Sequence, residues 1–237
     1  MEIRGWAILK RVAAVAVLGV GSICSSSFAG SLAPGFTERP QGSRIVVMPA
    51  DMELFSLSAG GVPEAKADWT QAAQKHFAAG LAARQTVLGK QVAMFDERDM
   101  DEFSQVNALH GAVAQAVNLH YEGPRVYRLP TKNGQLNWSM GDSVTALREK
   151  TGADYALFTW VRDSYASAER KAAMVAMAIL GIGLVGGSQV GYASLVDLQT
   201  GRIVWFNSVR RQKGDLREAG AALETVDALL SDFPEAK

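Results

Sequence analysis

The chain has 237 residues, of which 48% are hydrophobic and 20% are charged, and its 24 basic side chains balance its 24 acidic ones. This composition excludes an intrinsically disordered chain, and the lack of net positive charge argues against a nucleic-acid partner. The length suits one ordinary domain that can bury a sizeable core.

The amino end has the three parts of an export signal. A basic start is followed by an apolar run, 12–23, and by a small polar stretch that ends at Ala29. The cationic residues are Arg4, Lys10 and Arg11. Because the apolar run is shorter than the ~20 residues that a permanent transmembrane helix needs, it favours cleavage over anchoring. We therefore predict a cleavable signal peptide over residues 1–29, cut between Ala29 and Gly30.

Cys24 offers an alternative way of processing the same segment. A lipidated cysteine ends such a run in many exported lipoproteins, but here Ile23 precedes it, where a small residue is expected. Cleavage after Ala29 removes Cys24 and leaves no cysteine in the mature chain, which excludes disulfides and thiol chemistry. The expected location is the periplasm of a Gram-negative bacterium, with an outer-membrane lipoprotein anchored through Cys24 as the alternative.

The first half of the mature chain contains strands and helices in alternation. Residues 30–43 are rich in Gly and Pro and indicate a linker. The apolar β-branched run 44–50 predicts a buried strand, and 51–64 predicts a turn-rich loop. Residues 65–84 carry apolar side chains at four-residue intervals and predict an amphipathic helix. A second short strand is predicted over 90–95.

A second helix follows an acidic stretch, and a central strand comes after it. The apolar face of that helix is predicted to contain Phe103, Val106, His110, Val113 and Val117. Residues 123–141 predict an irregular excursion, and Asp142 is predicted to cap a short helix after it. The segment 153–164 is apolar on both faces, which is typical of a strand covered by helices on both sides.

The most distinctive segment is an uncharged stretch rich in Ala, Met and Gly over 171–187. As a helix, its sixteen uncharged residues would reach about 24 Å, less than a hydrocarbon core of about 30 Å. Three interpretations remain open: a buried core helix, a contact with another subunit, and a contact with a membrane surface. The candidate interaction residues are Met174, Met177, Ile179, Leu180, Ile182, Leu184 and Val185.

The carboxyl-terminal part predicts a β-hairpin around Gly201 and a last helix over about 215–233. The order of elements therefore predicts a single α/β domain over 44–237. Its sheet is expected to be mixed parallel and antiparallel, with helices on both faces in three α-β-α layers and the hairpin and final helix at the carboxyl end.

No catalytic or cofactor constellation emerges from the motifs. Gly181, Gly183 and Gly186 have dinucleotide-binding spacing, but a helix-like run precedes them and a strand follows, the reverse of the required order. His110 and His120 would lie about 15 Å apart on one helix, too far to share a metal. The acids of 96–102 do not follow a calcium-loop spacing. We therefore expect no cofactor, no metal site and no enzymatic activity.

Three segments together resemble the CsgG-type and TolB-amino-domain-like envelope proteins of bacteria. They are RIVVMPA at 44–50, TGADYALFTWV at 151–161 and ASLVDLQTGRIVWF at 193–206. The resemblance implies a periplasm-facing α/β domain that assembles or recruits other envelope components, without enzymatic activity. It does not extend to pore formation, because 172–187 lacks the polar and apolar alternation of a lumen-lining strand.

Two functional hypotheses follow from these features. The first is a non-enzymatic envelope accessory protein in which 171–187 contacts an envelope protein, a second copy of the chain or a membrane surface. The second is a small-ligand-binding protein or enzyme with a pocket at the carboxyl ends of the strands, near Asp51, the Asp96 to Arg98 turn and Asp163.

Expression in a Gram-negative host should yield a mature chain whose intact mass begins at Gly30, in the soluble periplasmic fraction. The physical reason is that the apolar run is too short for a permanent anchor, so that a signal peptidase cleaves after it and releases the mature chain from the membrane. Mass spectrometry of the soluble and membrane fractions checks this. A lipid-modified mass that begins at Cys24 in washed membranes would contradict it.

Overall fold

The computed structural model describes residues 26–27, 30–212 and 214–237. The predicted signal peptide, apart from Ser26 and Ser27, lies outside the described residues, as does Ala29 of the predicted cleavage site. Within the described chain, one sheet of nine strands forms the centre of the domain, in the order β1-β9-β8-β7-β3-β6, with β2, β4 and β5 paired beside this path.

The strands are short at the edges of the sheet and long at its centre. Their bounds are β1 Ser26–Ser27, β2 Ser31–Leu32, β3 Ile45–Val47, β4 Asp51–Leu57, β5 Pro63–Ala65, β6 Val92–Met94, β7 Tyr155–Ala166, β8 Gln189–Asp197 and β9 Ile203–Arg211. The helices are α1 Ala67–Ala83, α2 Gln85–Leu88, α3 Met100–Val117, α4 Thr145–Thr151, α5 Ala168–Ile179 and α6 Ala219–Leu229.

Strand β7 organises the sheet. Its first residues pair in parallel with β3 and its later residues pair in parallel with β4, while β8 runs antiparallel along its other edge. Strands β8 and β9 form the predicted carboxyl-terminal hairpin, and α6 follows it. The mixed α/β sheet with a hairpin and a final helix is therefore confirmed.

Helices cover both faces of the sheet, so the core has two halves. On one face, side chains of α1 and α6 such as Phe77 and Val226 pack against Leu157 and Trp205. On the other face, α3 and α4 pack against Phe158 and its neighbours. A strand buried on both faces is apolar at most positions, which explains the continuous apolar run at the start of β7.

The prediction of a loop over 51–64 is wrong, because the structure has strand β4 there. Side chains in β4 alternate between half-buried and buried, with Met52, Leu54 and Ser56 buried. Its acids, Asp51 and Glu53, face Arg162 of β7 and form ion pairs with it at 2.7 and 3.7 Å. Polar and apolar residues alternate along 51–54, which is the pattern of a half-buried strand. The polar residues at every second position made the segment resemble a loop.

The segment 30–43, predicted to be a linker, instead packs against the domain. Strand β2 pairs with β9 through Ser31 and Leu32, and Ala33 is buried. The Arg39 guanidinium is buried and donates hydrogen bonds to the carbonyl oxygens of Pro234 at 2.9 Å and Leu88 at 2.7 Å. Glycine and proline set the turns of this segment, and the distant carbonyl groups hold it in place.

Arg39→Ala should lower the free energy of unfolding by about 2 to 4 kcal/mol, because it leaves two buried carbonyl groups without a donor and removes packing on Phe233. Urea unfolding of the purified domain measures this change. Glu38→Ala, at an exposed neighbouring position, is the matched control and should change the free energy by less than about 0.5 kcal/mol. Equal stability of the two variants would contradict the role of Arg39.

Candidate functional site

The segment 171–187 forms part of a projection from the end of the sheet, which consists of one helix and an irregular returning segment. The chain leaves β7 at Ala166, forms α5 with Ser167 as its amino-terminal cap, and returns through an irregular limb to β8 at Gln189. We call residues 168–188 the apolar hairpin. Its sequence carries no charge after Lys171, and no helix among the described residues is long and apolar enough to cross a membrane.

Hydrogen bonds and one arginine fix the base of the apolar hairpin. Ser164 N donates to Ser188 O at 3.1 Å, and Ser188 N donates to Ser164 Oγ at 3.0 Å. Arg170 donates through Nε and Nη2 to Val185 O and through Nη1 to Ala59 O. The guanidinium therefore ties the returning limb and the β4–β5 turn to the first turn of α5.

The turn at the tip of the apolar hairpin depends on a glycine. Gly181 has a φ of +75°, and Ile182 N donates to Met177 O at 2.9 Å across the helix end. This pattern is the usual way to satisfy the last carbonyl groups of a helix, and it favours glycine at the left-handed position. Among the three glycines with dinucleotide-binding spacing, Gly181 thus terminates a helix rather than opening one.

The outer surface of the apolar hairpin is exposed. Ile179 is 82% exposed and Leu180 is 71% exposed, and Ile182 and Val185 are also exposed. Met174, Met177 and Leu184 are half-buried along the inner side of the hairpin. The interpretation of this segment as a buried core helix is therefore wrong, because α5 buries no residue completely.

Two further exposed residues of this surface were not predicted from the sequence. Val175, 66% exposed, lies one helical turn before Ile179 on the same side of α5. Val62 lies in the β4–β5 turn, where the adjacent Gly61 is close to the Arg170 guanidinium. The four-residue spacing of 175 and 179 was a visible signal, whereas the proximity of Val62 depends on the fold.

A buried polar network stands directly below the apolar hairpin. Asp163 is buried and its carboxylate accepts hydrogen bonds from Tyr165 Oη at 2.6 Å, Gln189 Nε2 at 2.7 Å and Ser164 N at 2.8 Å. Gln189 Oε1 in turn accepts from Arg211 Nε at 2.6 Å. Burial raises the pKa of Asp163 to about 6, against the opposing effect of its three donors.

The three predicted parts of a strand-end pocket do not come together in the structure. They are Asp51, the Asp96 to Arg98 turn and Asp163. Asp51 lines an open groove of about 800 Å³ on the β4 side, and its carboxylate is close to α3. Asp163 lies on the opposite face of the sheet, in the network that includes Thr225 of α6. The Asp96 to Arg98 turn is exposed beyond edge strand β6, where Asp96 binds Arg98.

One of the two histidines considered as metal ligands lies in the core. His110 is fully buried, stacks on Phe158, and its Nε2 is 2.8 Å from Ser194 Oγ, a residue that is itself fully buried. Burial lowers the pKa of His110 to about 3, so the ring is neutral at physiological pH. Within the described chain, no group of three or more His, Cys, Asp or Glu side chains is placed to hold a metal ion.

Comparison with known proteins gives similarity to solved structures. No family model matches the chain, and no curated protein matches it. The chain is similar to the PelC dodecamer from Paraburkholderia phytofirmans, with 12% identity, 90% of this chain and 99% of that chain covered, and a TM-score of 0.40.

Two further similar structures are an LpoB domain and a lipoprotein. The LpoB C-terminal domain from Salmonella enterica has 12% identity, 76% and 88% coverage and a TM-score of 0.31. Lipoprotein GNA1162 from Neisseria meningitidis has 15% identity, 81% and 98% coverage and a TM-score of 0.32. Similarity this low carries no information about activity or partners, and the resemblance to CsgG-type and TolB-amino-domain-like proteins stays a prediction.

Asp163→Asn should remove part of the pH dependence of folding stability. The raised pKa means that the folded domain holds this proton more tightly than the unfolded chain does. Its stabilising contribution is therefore present below about pH 4 and is lost as the pH rises through about 6. Urea unfolding should show that wild type loses on the order of 3 kcal/mol relative to the variant between about pH 4 and pH 7. Parallel stability curves for the two proteins would contradict this assignment.

Proposed function

We propose that this protein is a non-enzymatic accessory protein of the bacterial envelope that contacts a membrane surface through the apolar hairpin. The observation that carries the proposal is the exposure of Val175, Ile179 and Leu180 on a projection whose base is held by hydrogen bonds. Catalysis is no part of the proposal, because the polar groups that could support it are buried or dispersed over opposite faces of the sheet.

The exposed apolar surface is large enough in energy to drive a contact. Burial of one Val, Leu or Ile side chain contributes about 1.5 to 3 kcal/mol. Five such side chains of the apolar hairpin are exposed, by 46% to 82%, and they are Val175, Ile179, Leu180, Ile182 and Val185. Transfer of this surface out of water would contribute on the order of 5 kcal/mol.

The distribution of polarity around α5 favours lipid over a protein groove. A helix that docks into a groove presents one apolar face and keeps polar residues on the other. Here Ala172, Ala176 and Ala178 are exposed as well, and every charge lies in the first turn. The uncharged residues 172–179 rise about 12 Å, which is enough to span the depth of about 5 to 10 Å at which interfacial segments bury.

The direction of the amino-terminal chain supports a membrane at this end. Strand β1 pairs Ser26 with Arg210, and the next residue of β9, Arg211, pairs with Gln189 at the base of the apolar hairpin. The chain therefore enters the sheet from the end that carries the hairpin. This support holds for the precursor or for a chain lipidated at Cys24, because cleavage after Ala29 removes Ser26 and the rest of β1.

Ile179→Asp/Leu180→Asp should weaken binding to vesicles of phosphatidylethanolamine and phosphatidylglycerol by at least about tenfold, because each carboxylate opposes insertion. Co-sedimentation with the vesicles measures binding. Since both side chains are exposed, the melting temperature should stay within about 2 °C of wild type.

The matched control is Val87→Asp/Leu109→Asp, which places two carboxylates on exposed apolar positions of α2 and α3. This control should bind the vesicles as the wild type does. Wild-type protein that does not sediment with vesicles, or a hairpin variant that binds as tightly as the control, would overturn the proposal. Binding to an envelope protein in place of lipid would assign the hairpin to a partner instead.

A further inference from the structure

A second exposed surface lies beside strand β9, in a segment of the chain separate from the apolar hairpin. The segment 123–132, which we call the basic loop, carries Arg125, Arg128 and Lys132, and no acid occurs from Gly123 to Met140. Val126 at its centre is 81% exposed and Tyr127 is 53% exposed. Arginine and tyrosine are among the residues enriched at protein interfaces.

The contacts of the preceding residues place the basic loop beside β9. Glu122 Oε2 accepts from Ser208 Oγ at 2.5 Å, and Asn118 Oδ1 accepts from Arg210 Nη2 at 3.5 Å. Strand β9 lies next to β1 at one lateral end of the strand order. Arg125 and Arg128 form no ion pair within the described chain, so their charges are available to a partner.

The opposite lateral edge of the same domain has the complementary character. Edge strand β6 ends at Met94, which is 43% exposed, and residues 94–102, the acidic edge, contain five acids and one arginine. Lys150 pairs with Asp99 and Glu102, and Arg98 pairs with Asp96. Glu97 and Asp101 are exposed and have no ion-pair partner among the described residues.

A single copy cannot join these two surfaces. Helix α3 connects the acidic edge to the basic loop, and its 18 residues separate them by about 27 Å. The complementary charges and the exposed apolar side chains can therefore meet only between two molecules. Contact between different surfaces of identical chains is a head-to-tail contact, which closes into a ring or extends as a filament.

We infer that the basic loop of one copy docks on the acidic edge of the next copy, so that the chain assembles head to tail. Arg125 and Arg128 meet Glu97 and Asp101 at the rim, and Val126 and Tyr127 cover Met94 at the centre. The partner is a second copy of this chain because its own acidic edge supplies the charge that the basic loop lacks. This inference needs no lipid and does not depend on the proposed membrane contact.

Charge reversal at single positions tests the contact in lipid-free buffer. Arg125→Glu alone and Glu97→Arg alone should each weaken self-association of the mature chain by about tenfold or more, because like charges then face each other. An equal mixture of the two variants should associate as the wild type does, since each interface then pairs opposite charges. Lys75→Glu, at an exposed lysine on α1, is the matched control and should leave association unchanged.

Sedimentation velocity over a range of concentrations measures the association, and native mass spectrometry gives the number of copies. Assemblies of three or more copies, with rescue only in the mixture, are the expected result. A monomeric wild type, a closed dimer, or reversal variants that associate like Lys75→Glu would overturn the inference. Because no vesicle is present, failure here is distinguishable from failure of the membrane contact.

Discussion

The pairing of strand β7, Tyr155–Ala166, is the constraint on which the rest of the domain depends. Strands β3 and β4 bond to successive parts of one edge, and β8 bonds to the other edge from Tyr155 to Asp163. Helices also cover both faces of the sheet at this strand, so both halves of the core include residues of β7. Because β8 follows β7 in antiparallel pairing, the connection between them must turn at the carboxyl end of the sheet. The antiparallel pairing of β7 and β8 therefore places the apolar hairpin at that end of the sheet.

Most of the fold could be predicted from sequence patterns, and its missing parts have specific reasons. The continuous apolar run of β7 and the four-residue spacing in α1 each identify one element. The segment 30–43 looked like a linker because its main anchor, the Arg39 guanidinium, binds a carbonyl group 195 residues away. Composition identified 171–187 as apolar, but a buried and an exposed helix can share that composition. Its exposure depends on the fold, because the pairing of the strands places it beyond the helices that cover the two faces of the sheet.

The apolar hairpin and the two lateral surfaces are formed by different segments of the chain. The hairpin projects from the carboxyl end of the strands, whereas the basic loop and the acidic edge flank the sheet on its long sides. A membrane contact and a contact between copies can therefore form at the same time. In a closed ring with its axis normal to the membrane, each copy would present its hairpin toward the same surface, and several weak insertions would act together. Burial of the polar groups below the hairpin, Asp163 among them, keeps its base rigid in such an assembly.

The most direct test of the account is the environment of Ile179 in the presence of lipid. Ile179→Cys in the mature chain from Gly30, labelled with an environment-sensitive fluorophore, reports whether the tip of the apolar hairpin leaves water. Val87→Cys, exposed on α2, serves as the reference position. The account predicts a blue-shifted and brighter emission at position 179 when vesicles are added, with quenching by brominated acyl chains and no change at position 87. An emission at position 179 that stays that of water, under conditions where the vesicles are in excess, would contradict it.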